Sequence, residues 1–286
     1  MLDELVCARQ TYEAAIQGQG AFGEEAALRL LPQDSDVMTC AGLEGVFKAV
    51  NDGTARYGVV PIENSLTGSF HQTYDLMFDH NLTIVAETIC RIEYALIGLP
   101  GAQLRNIRRA YAHPLVLAQC EQFFHRHPSI EPVSIYDPSA QMQNVLNGGD
   151  PTRATIATEC GTMKTNAAVL AHSIQDRPEN STRFLLISKP MEMVRLQTIH
   201  YKRTIVFRIV NEPGALCRAL RPFADHSIDV AKIESRPVKG SPWEYMFYLD
   251  LIGRADYEQM HSAVEELRRQ ALSLRVLGMY PRAELS

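Results

Sequence analysis

The C-terminal part of the chain has the clearest pattern of apolar and polar positions. Thr204–Val210 is rich in β-branched residues and predicts a strand, and Ala215–Asp225 has the apolar spacing of a helix. From Tyr257 to Ala271, apolar residues recur every three or four positions, which predicts a second amphipathic helix. The remaining predicted strands are Ile228–Glu234, Tyr245–Ile252 and Arg275–Tyr280. The resulting order, βαββαβ, is the ferredoxin-like plan of an α+β domain.

In the first 190 residues, short apolar runs alternate with segments of helical spacing. The predicted strands are Ala14–Ile16, Tyr57–Pro61, Leu82–Ile89, Tyr94–Ile97, Ala110–Tyr111, Val133–Tyr136, Thr155–Ala157 and Phe184–Ile187. The predicted helices include Glu24–Leu31, Pro114–His127, Ala140–Leu146 and Thr162–Ala171. This alternation predicts an α/β architecture with a mostly parallel sheet, in which ligands bind beyond the carboxyl ends of the strands.

The two patterns meet at residues 190–203. Ser188-Lys189-Pro190 ends an apolar run, and the stretch from Met191 to Arg203 has no clear period. We therefore expect one domain over residues 1–190 and a second over residues 203–286.

Composition narrows the classes of function. The chain has 286 residues, with 28 Lys and Arg against 33 Asp and Glu, so its net charge of −5 predicts no nucleic-acid partner. No apolar run approaches the roughly 20 residues that span a bilayer, so no membrane partner is expected. Met1–Cys7 lacks the basic and apolar pattern of a secretory signal. Six scattered cysteines without a CxxC pair favour reduced thiols in a cytoplasmic protein.

Two polar segments follow predicted strands near the N-terminus. Gly18–Gly23 contains a GxGxxG pattern, but the acidic residue of the dinucleotide fingerprint is missing from the end of the next strand. A tight turn and a small-anion site are the open interpretations of this segment. Val59–Ser69 runs from a strand into a turn with many uncharged donors, and ordinary turn roles are the alternative for Asn64 and Ser65.

Two further segments place polar residues beside apolar runs. In Ala112–Cys120, Gln119 lies within an apolar run, where its amide needs a partner. In Asn180–Phe184, an extended backbone would point Thr182 to one side and Arg183 to the other. The sequence shows no metal-ligand set, no recognisable Ser-His-Asp arrangement and no cysteine nucleophile signature, so no metal is expected.

Together these segments resemble prephenate dehydratase with a C-terminal ACT regulatory domain. The resemblance is carried, in the family's order, by Gly58–Ser65, His113-Pro114 with Gln119-Cys120, Asn180–Phe184, Pro213–Leu216 and Glu234–Pro237. It implies a two-lobed catalytic domain like the type II periplasmic binding proteins, with lobes at about residues 1–91 with 172–190 and at 92–171. An ACT domain would follow.

The resemblance also implies an activity and its residues. The enzyme would be a carbon–oxygen lyase that converts prephenate to phenylpyruvate in phenylalanine biosynthesis, without a cofactor. The catalytic positions of the family fall on Asn64, Gln119 and Thr182. The implied substrate-binding residues are Gly20, Phe22, Ser65, Ser139 and Arg183.

ACT domains of this kind pair across subunits and bind phenylalanine at the interface. The resemblance therefore implies a homodimer or homotetramer with phenylalanine as the effector. The implied effector-binding residues are Gly214, Ala215, Leu216, Glu234, Ser235 and Arg236, and plain turns are the alternative interpretation.

Several residues depart from the family pattern. Ala21 and Gly23 replace a Thr and a Ser of the first loop, and Ala112 and Leu115 replace a Ser and a Gln around His113. Three alternatives stay open: an arogenate dehydratase, a non-catalytic amino-acid sensor, and a nucleotide-dependent dehydrogenase that uses the GxGxxG pattern.

Overall fold

The computed structural model describes residues 11–18, 22–135, 145, 147–158, 167–190, 200–238, 240–241, 243–254 and 257–284. The chain divides into two compact units, Met1–Phe70 with Thr88–Phe184 and His71–Glu87 with Leu185–Ser286. Within the ranges above, no helix is long and apolar enough to cross a membrane.

The first sheet of the first unit is built around its N-terminal strand. Strand β1 (Tyr12–Gln17) lies parallel to both β2 (Val37–Cys40) and β3 (Ala55–Asn64). Strand β11 (Ser181–Ser188) is the other neighbour of β3, and β4 (Gly68–Ser69) pairs antiparallel with the end of β3. Helices α1 (Phe22–Leu30) and α2 (Leu43–Asp52) accompany this sheet. The apolar centre of β1 is completely buried, as expected of a strand in the middle of a parallel sheet.

The second sheet of the first unit has the strand order β10-β6-β9-β7-β8. Its strands are β6 (Ala95–Gly98), β7 (Arg109–Ala112), β8 (Glu131–Ser134), β9 (Arg153–Ala157) and β10 (Ala168–Ala171). Strand β7 is parallel to β8 and β9, whereas β6 is antiparallel to β9 and β10. The α/β class is confirmed, but this sheet is mixed rather than mostly parallel.

The single helix predicted over Pro114–His127 is wrong, because the structure divides it into α4 (Pro114–Ala118) and α5 (Glu121–Arg126). Gln119 ends α4, and its carbonyl accepts the backbone N–H of Asp176 instead of continuing the helix. The Asp176 carboxylate accepts the first two N–H groups of α5, at 2.9 and 3.0 Å. A carboxylate at this position caps a helix N-terminus, so α5 begins anew.

The helix predicted over Thr162–Ala171 is wrong in its last four residues, which form β10 against β6. A short apolar run has no periodicity that separates a strand from a buried helix, so the available sheet edge decides the structure here. Residues 162–166 and most of the helix predicted over Ala140–Leu146 lie outside the described residues.

The second unit contains the predicted ferredoxin-like order. Its sheet has the order β13-β14-β12-β15-β5. The strands are β5 (Thr83–Arg91), β12 (His200–Arg208), β13 (Asp229–Pro237), β14 (Tyr245–Arg254) and β15 (Ser273–Pro281). The helices of the repeat are α6 (Ala215–Asp225) and α7 (Tyr257–Gln270). The strands β5 and β11 both contain the boundary between the two units.

Helix α3 (His71–Asp79) also belongs to the second unit. The Tyr248 hydroxyl of β14 donates to the Tyr74 carbonyl at 2.8 Å. The Arg275 guanidinium of β15 donates to the carbonyls of Met77 and His80, which lie at the end of the helix. A cation at a helix C-terminus satisfies carbonyls that have no partner within the helix, so the sheet fixes the position of α3.

A buried ion pair stabilises the second unit. The Lys202 ammonium of β12 lies 2.9 Å from the Glu87 carboxylate of β5, whose side chain is completely buried. The same carboxylate accepts the backbone N–H of Ala283 at 3.0 Å. Because the ammonium and the carboxylate are both shielded from water, each charge is stabilised mainly by the other.

Replacing Lys202 with Met should lower the free energy of unfolding by about 3 kcal/mol, because the Glu87 carboxylate would remain buried without the ammonium. Urea unfolding followed by circular dichroism measures this loss. The matched control is Arg221→Met, which breaks an exposed pair with Asp225 and should change the stability very little. Equal losses in the two variants would contradict the structural importance of the buried pair.

Candidate functional site

Asn64 ends β3 as a buried side chain whose two amide atoms both make hydrogen bonds. Its oxygen accepts the backbone N–H groups of Leu66 at 3.0 Å and Thr67 at 2.9 Å. Its nitrogen donates to the Asn180 side-chain oxygen at 2.7 Å and to the Thr182 hydroxyl at 2.9 Å. The orientation of this amide is therefore fixed from both ends.

Thr182 is held beside Asn64 because the end of β3 is joined to the start of β11. The Ser65 backbone N–H donates to the Ser181 carbonyl at 2.8 Å, and the Ser65 hydroxyl accepts the Ser181 N–H at 2.9 Å. The same hydroxyl donates to the Glu179 carbonyl at 3.2 Å. The structure thus gives Ser65 a positioning role between two strands of the site.

Gln119 reaches the same cluster from the end of helix α4, which follows β7 of the second sheet. Gln119 is the residue at which α4 ends. Its side-chain oxygen accepts the Asn180 side-chain N–H at 2.8 Å. The hydrogen bonds therefore run from Gln119 through Asn180 to Asn64 and on to Thr182. We call these four side chains the amide cluster. The structure brings the three predicted catalytic residues together, although they lie far apart in the sequence.

The amide cluster lies where the chain passes between the two sheets of the first unit. The first passage follows β5, and the second precedes β11. They are bonded to each other: the Ile92 N–H donates to the Asn180 carbonyl at 2.8 Å, and the Ile174 N–H donates to the Tyr94 carbonyl at 2.9 Å. Since Asn180 belongs to one passage and bonds the other, the cluster is anchored at this junction.

Other predicted substrate-binding residues have different surroundings. Arg183 is buried on the strand face opposite Thr182, with its guanidinium 3.7 Å from the Glu63 carboxylate. The Phe22 ring packs edge-on against the Tyr94 ring, with centroids 5.5 Å apart. Gly20 and Ser139 lie outside the described residues.

The residues predicted to bind the effector fall on two elements of the second unit. Gly214 precedes α6 with a φ of 79°, a left-handed conformation that favours glycine. Ala215 and Leu216 form the first turn of that helix. On β13, Ser235 is exposed, whereas Glu234 and Arg236 alternate with it on the other face.

Glu234 and Arg236 pair with helix α3. A Glu234 carboxylate oxygen lies 3.2 Å from the His71 ring nitrogen. The Arg236 guanidinium donates two hydrogen bonds to the Asp75 carboxylate, at 3.1 and 3.0 Å. A bidentate pair of this kind fixes geometry as well as charge. The strand that carries part of the predicted effector site is therefore joined to α3.

Asn180 was not among the predicted site residues, although it lies at the centre of the amide cluster. Its side chain is only 1% exposed and uses both amide atoms in hydrogen bonds. One signal in the sequence could have identified it: in an extended segment, residues two apart share a face, so Asn180 points to the same side as Thr182.

The cluster offers neutral hydrogen-bond donors rather than a nucleophile. The neighbouring thiol of Cys120 is buried, and burial together with the charge of Asp176 raises its pKa to about 12, so it is protonated at neutral pH. Among the residues that the structure describes, no group of three or more His, Cys, Asp and Glu side chains could hold a metal ion. Such a site can orient an anionic substrate and stabilise a departing hydroxyl group.

Two known protein families match this sequence. The prephenate dehydratase profile matches residues 14–192, and the ACT domain profile matches residues 203–269. The bifunctional chorismate mutase/prephenate dehydratase of Aquifex aeolicus is 32% identical over 268 residues, which are 93% of this chain and 72% of that protein.

Two solved structures share the fold over nearly the whole chain. Prephenate dehydratase from Arthrobacter aurescens, in complex with L-Phe, superposes with a TM-score of 0.84 at 30% identity, covering 94% of this chain and 90% of that one. GqqA, described as a novel type of quorum quenching acylase, superposes with a TM-score of 0.86 at 28% identity, covering 94% and 97%.

Proposed function

The chain belongs to the prephenate dehydratase family and carries a C-terminal ACT domain, and on that premise we propose that it converts prephenate to phenylpyruvate. The observation that carries the proposal is the amide cluster, which joins Asn64, Gln119 and Thr182 by hydrogen bonds. We place the enzyme in the cytoplasm, where scattered cysteines remain reduced.

The reaction needs hydrogen-bond donors more than it needs a nucleophile. Prephenate is a dianion that carries a hydroxyl group on its ring. When the bond to the ring carboxylate breaks, carbon dioxide leaves and the electron pair enters the ring. The ring C–O bond then breaks, hydroxide departs, and the ring becomes aromatic. Because aromatisation supplies the driving force, the protein has to orient the dianion and stabilise the departing hydroxide.

The Thr182 hydroxyl is proposed to donate to the departing hydroxide. It accepts a hydrogen bond from the Asn64 amide, which leaves its own hydrogen for the substrate. A threonine hydroxyl is a weak acid, so this is electrostatic assistance rather than complete proton transfer. The Gly18–Gly23 loop is proposed to contribute to binding a substrate carboxylate. Arg183 lies on the strand face opposite Thr182 and beside Glu63, so its proposed contribution is the attraction of its positive charge for the dianion rather than a direct contact.

The same geometry argues against an acylase mechanism like the one for which GqqA is named. Attack on an amide carbonyl requires a nucleophile that is activated by a neighbouring base. The partner of the Thr182 oxygen is a neutral amide donor, which lowers rather than raises the nucleophilicity of the hydroxyl. Dehydration is therefore the reaction that this contact supports.

Replacing Thr182 with Val should lower turnover by roughly 10²–10³, the usual cost of one preorganised donor, while the volume of the side chain is kept. The formation of phenylpyruvate is measured by absorbance. Thr182→Ser is the matched control, because it retains the hydroxyl and should stay much closer to the wild-type rate. A Val variant that works at the wild-type rate would remove Thr182 from the mechanism.

A parallel assay on prephenate and arogenate tests the substrate. We expect turnover of prephenate to exceed that of arogenate, in which an amine replaces the keto group. Faster turnover of arogenate would reassign the substrate, and binding of phenylalanine without either activity would identify a sensor. Titration with NAD(H) completes the series, since tight binding would instead favour the dehydrogenase interpretation.

Feedback inhibition by phenylalanine is the proposed regulation, with a homodimer or homotetramer as the proposed assembly. In support, the related Arthrobacter enzyme was solved in complex with L-Phe. Exposed Ser235 lies on the edge strand β13, while Glu234 and Arg236 of that strand pair with α3. Along the chain, α3 begins just after the turn that Asn64 fixes, so we propose that α3 transmits the effector signal to the site.

Replacing Asp75 with Asn should reduce the inhibition of activity by phenylalanine at least threefold, because Arg236 would lose its ion pair with the Asp75 carboxylate on α3. Binding of phenylalanine, measured by calorimetry, should remain. The matched control is Asp225→Asn, which removes the carboxylate of an exposed pair on α6 and should leave inhibition intact. Full inhibition in the Asp75 variant would exclude this route.

A further inference from the structure

We infer that Asn180 is a positioning residue, which determines the atoms that Gln119 presents to the substrate. This inference rests on the function proposed above and adds a residue to its site. Asn180 is completely enclosed: its oxygen accepts from Asn64 at 2.7 Å, and its nitrogen donates to Gln119 at 2.8 Å. Its side chain therefore links the other amides and is too enclosed to contact the substrate directly.

The direction of these bonds is set by the backbone. The N–H groups of Leu66 and Thr67 can only donate, so the Asn64 oxygen must face them and its nitrogen must face the cluster. That nitrogen has two hydrogens for three acceptors, of which the Ser181 carbonyl, at 3.1 Å, is the most distant. The Asn180 oxygen must then face Asn64, and its nitrogen must face Gln119.

These bond directions determine which atoms point away from the cluster at its two ends, Gln119 and Thr182. The Gln119 oxygen is occupied by Asn180, so the Gln119 nitrogen and its hydrogens are directed away from the cluster. The Thr182 oxygen accepts from Asn64, so its hydrogen is also directed away. Both ends thus present donors, which suits a dianionic substrate whose leaving group is hydroxide. If the Asn180 amide were reversed, the Gln119 amide would reverse with it. The Gln119 oxygen, which is an acceptor, would then face the substrate.

The test is Asn180→Asp, which keeps the shape of the side chain but replaces its donor with an acceptor. At neutral pH the carboxylate repels the Gln119 oxygen and favours a reversed Gln119 amide. We expect turnover to fall by about a hundredfold, the cost of losing one preorganised donor. Burial raises the pKa of a carboxyl group, and the protonated form can again donate to Gln119. The rate of this variant should therefore recover as the pH falls.

The matched control is Asn211→Asp, at an exposed asparagine in the second unit, which should retain the wild-type rate and pH profile. The uncatalysed acid-promoted reaction is subtracted throughout. Circular dichroism shows whether each variant is folded. If Asn180→Asp does not fold, Asn180→Ser provides the second variant, and it should lower turnover with little change in phenylalanine binding.

The outcomes separate the inference from the proposed function. An inactive wild-type protein would overturn both. With an active wild type, the inference is overturned by wild-type turnover in a folded Asn180 variant, or by an Asn180→Asp profile that shows no recovery at low pH. A low rate that recovers on acidification supports it when the circular dichroism of the variant stays unchanged over the same pH range, because a folding defect would change the circular dichroism as well as the rate.

Discussion

Two backbone N–H groups, those of Leu66 and Thr67, determine the direction of the hydrogen bonds in the site. They bind the oxygen of Asn64, and each amide of the cluster is oriented by the one before it. A side-chain amide could otherwise adopt either of two orientations that differ by a half-turn. The turn after β3 therefore does more than reverse the chain, because it determines which polar atoms the cluster presents.

Other contacts in the first unit hold the segments around this turn in place. The contacts of Ser65 hold β3 against β11, and the bond between Ile92 and Asn180 joins the two passages between the sheets. The interruption between α4 and α5 places Gln119 at a helix end, from which its side chain reaches Asn180. These features come from distant parts of the sequence, and they converge on one buried asparagine.

Much of this architecture could be predicted because its signals are local. The βαββαβ order and the bounds of Ala215–Asp225 follow from apolar periodicity, and the motif residues Asn64, Gln119 and Thr182 follow from the family resemblance. The interruption after Ala118 could not be predicted, because the capping carboxylate belongs to Asp176, much later in the chain. The pairing of β10 and the contact between Arg236 and Asp75 likewise depend on tertiary neighbours.

The four side chains of the amide cluster contain no group that gains or loses a proton in the physiological range. A site of this composition has a single charge state from mildly acidic to mildly alkaline conditions. In the reaction proposed for this site, the cluster itself would then add no pH dependence to the rate. Any pH dependence measured for the protein would therefore report on titratable groups outside these four side chains.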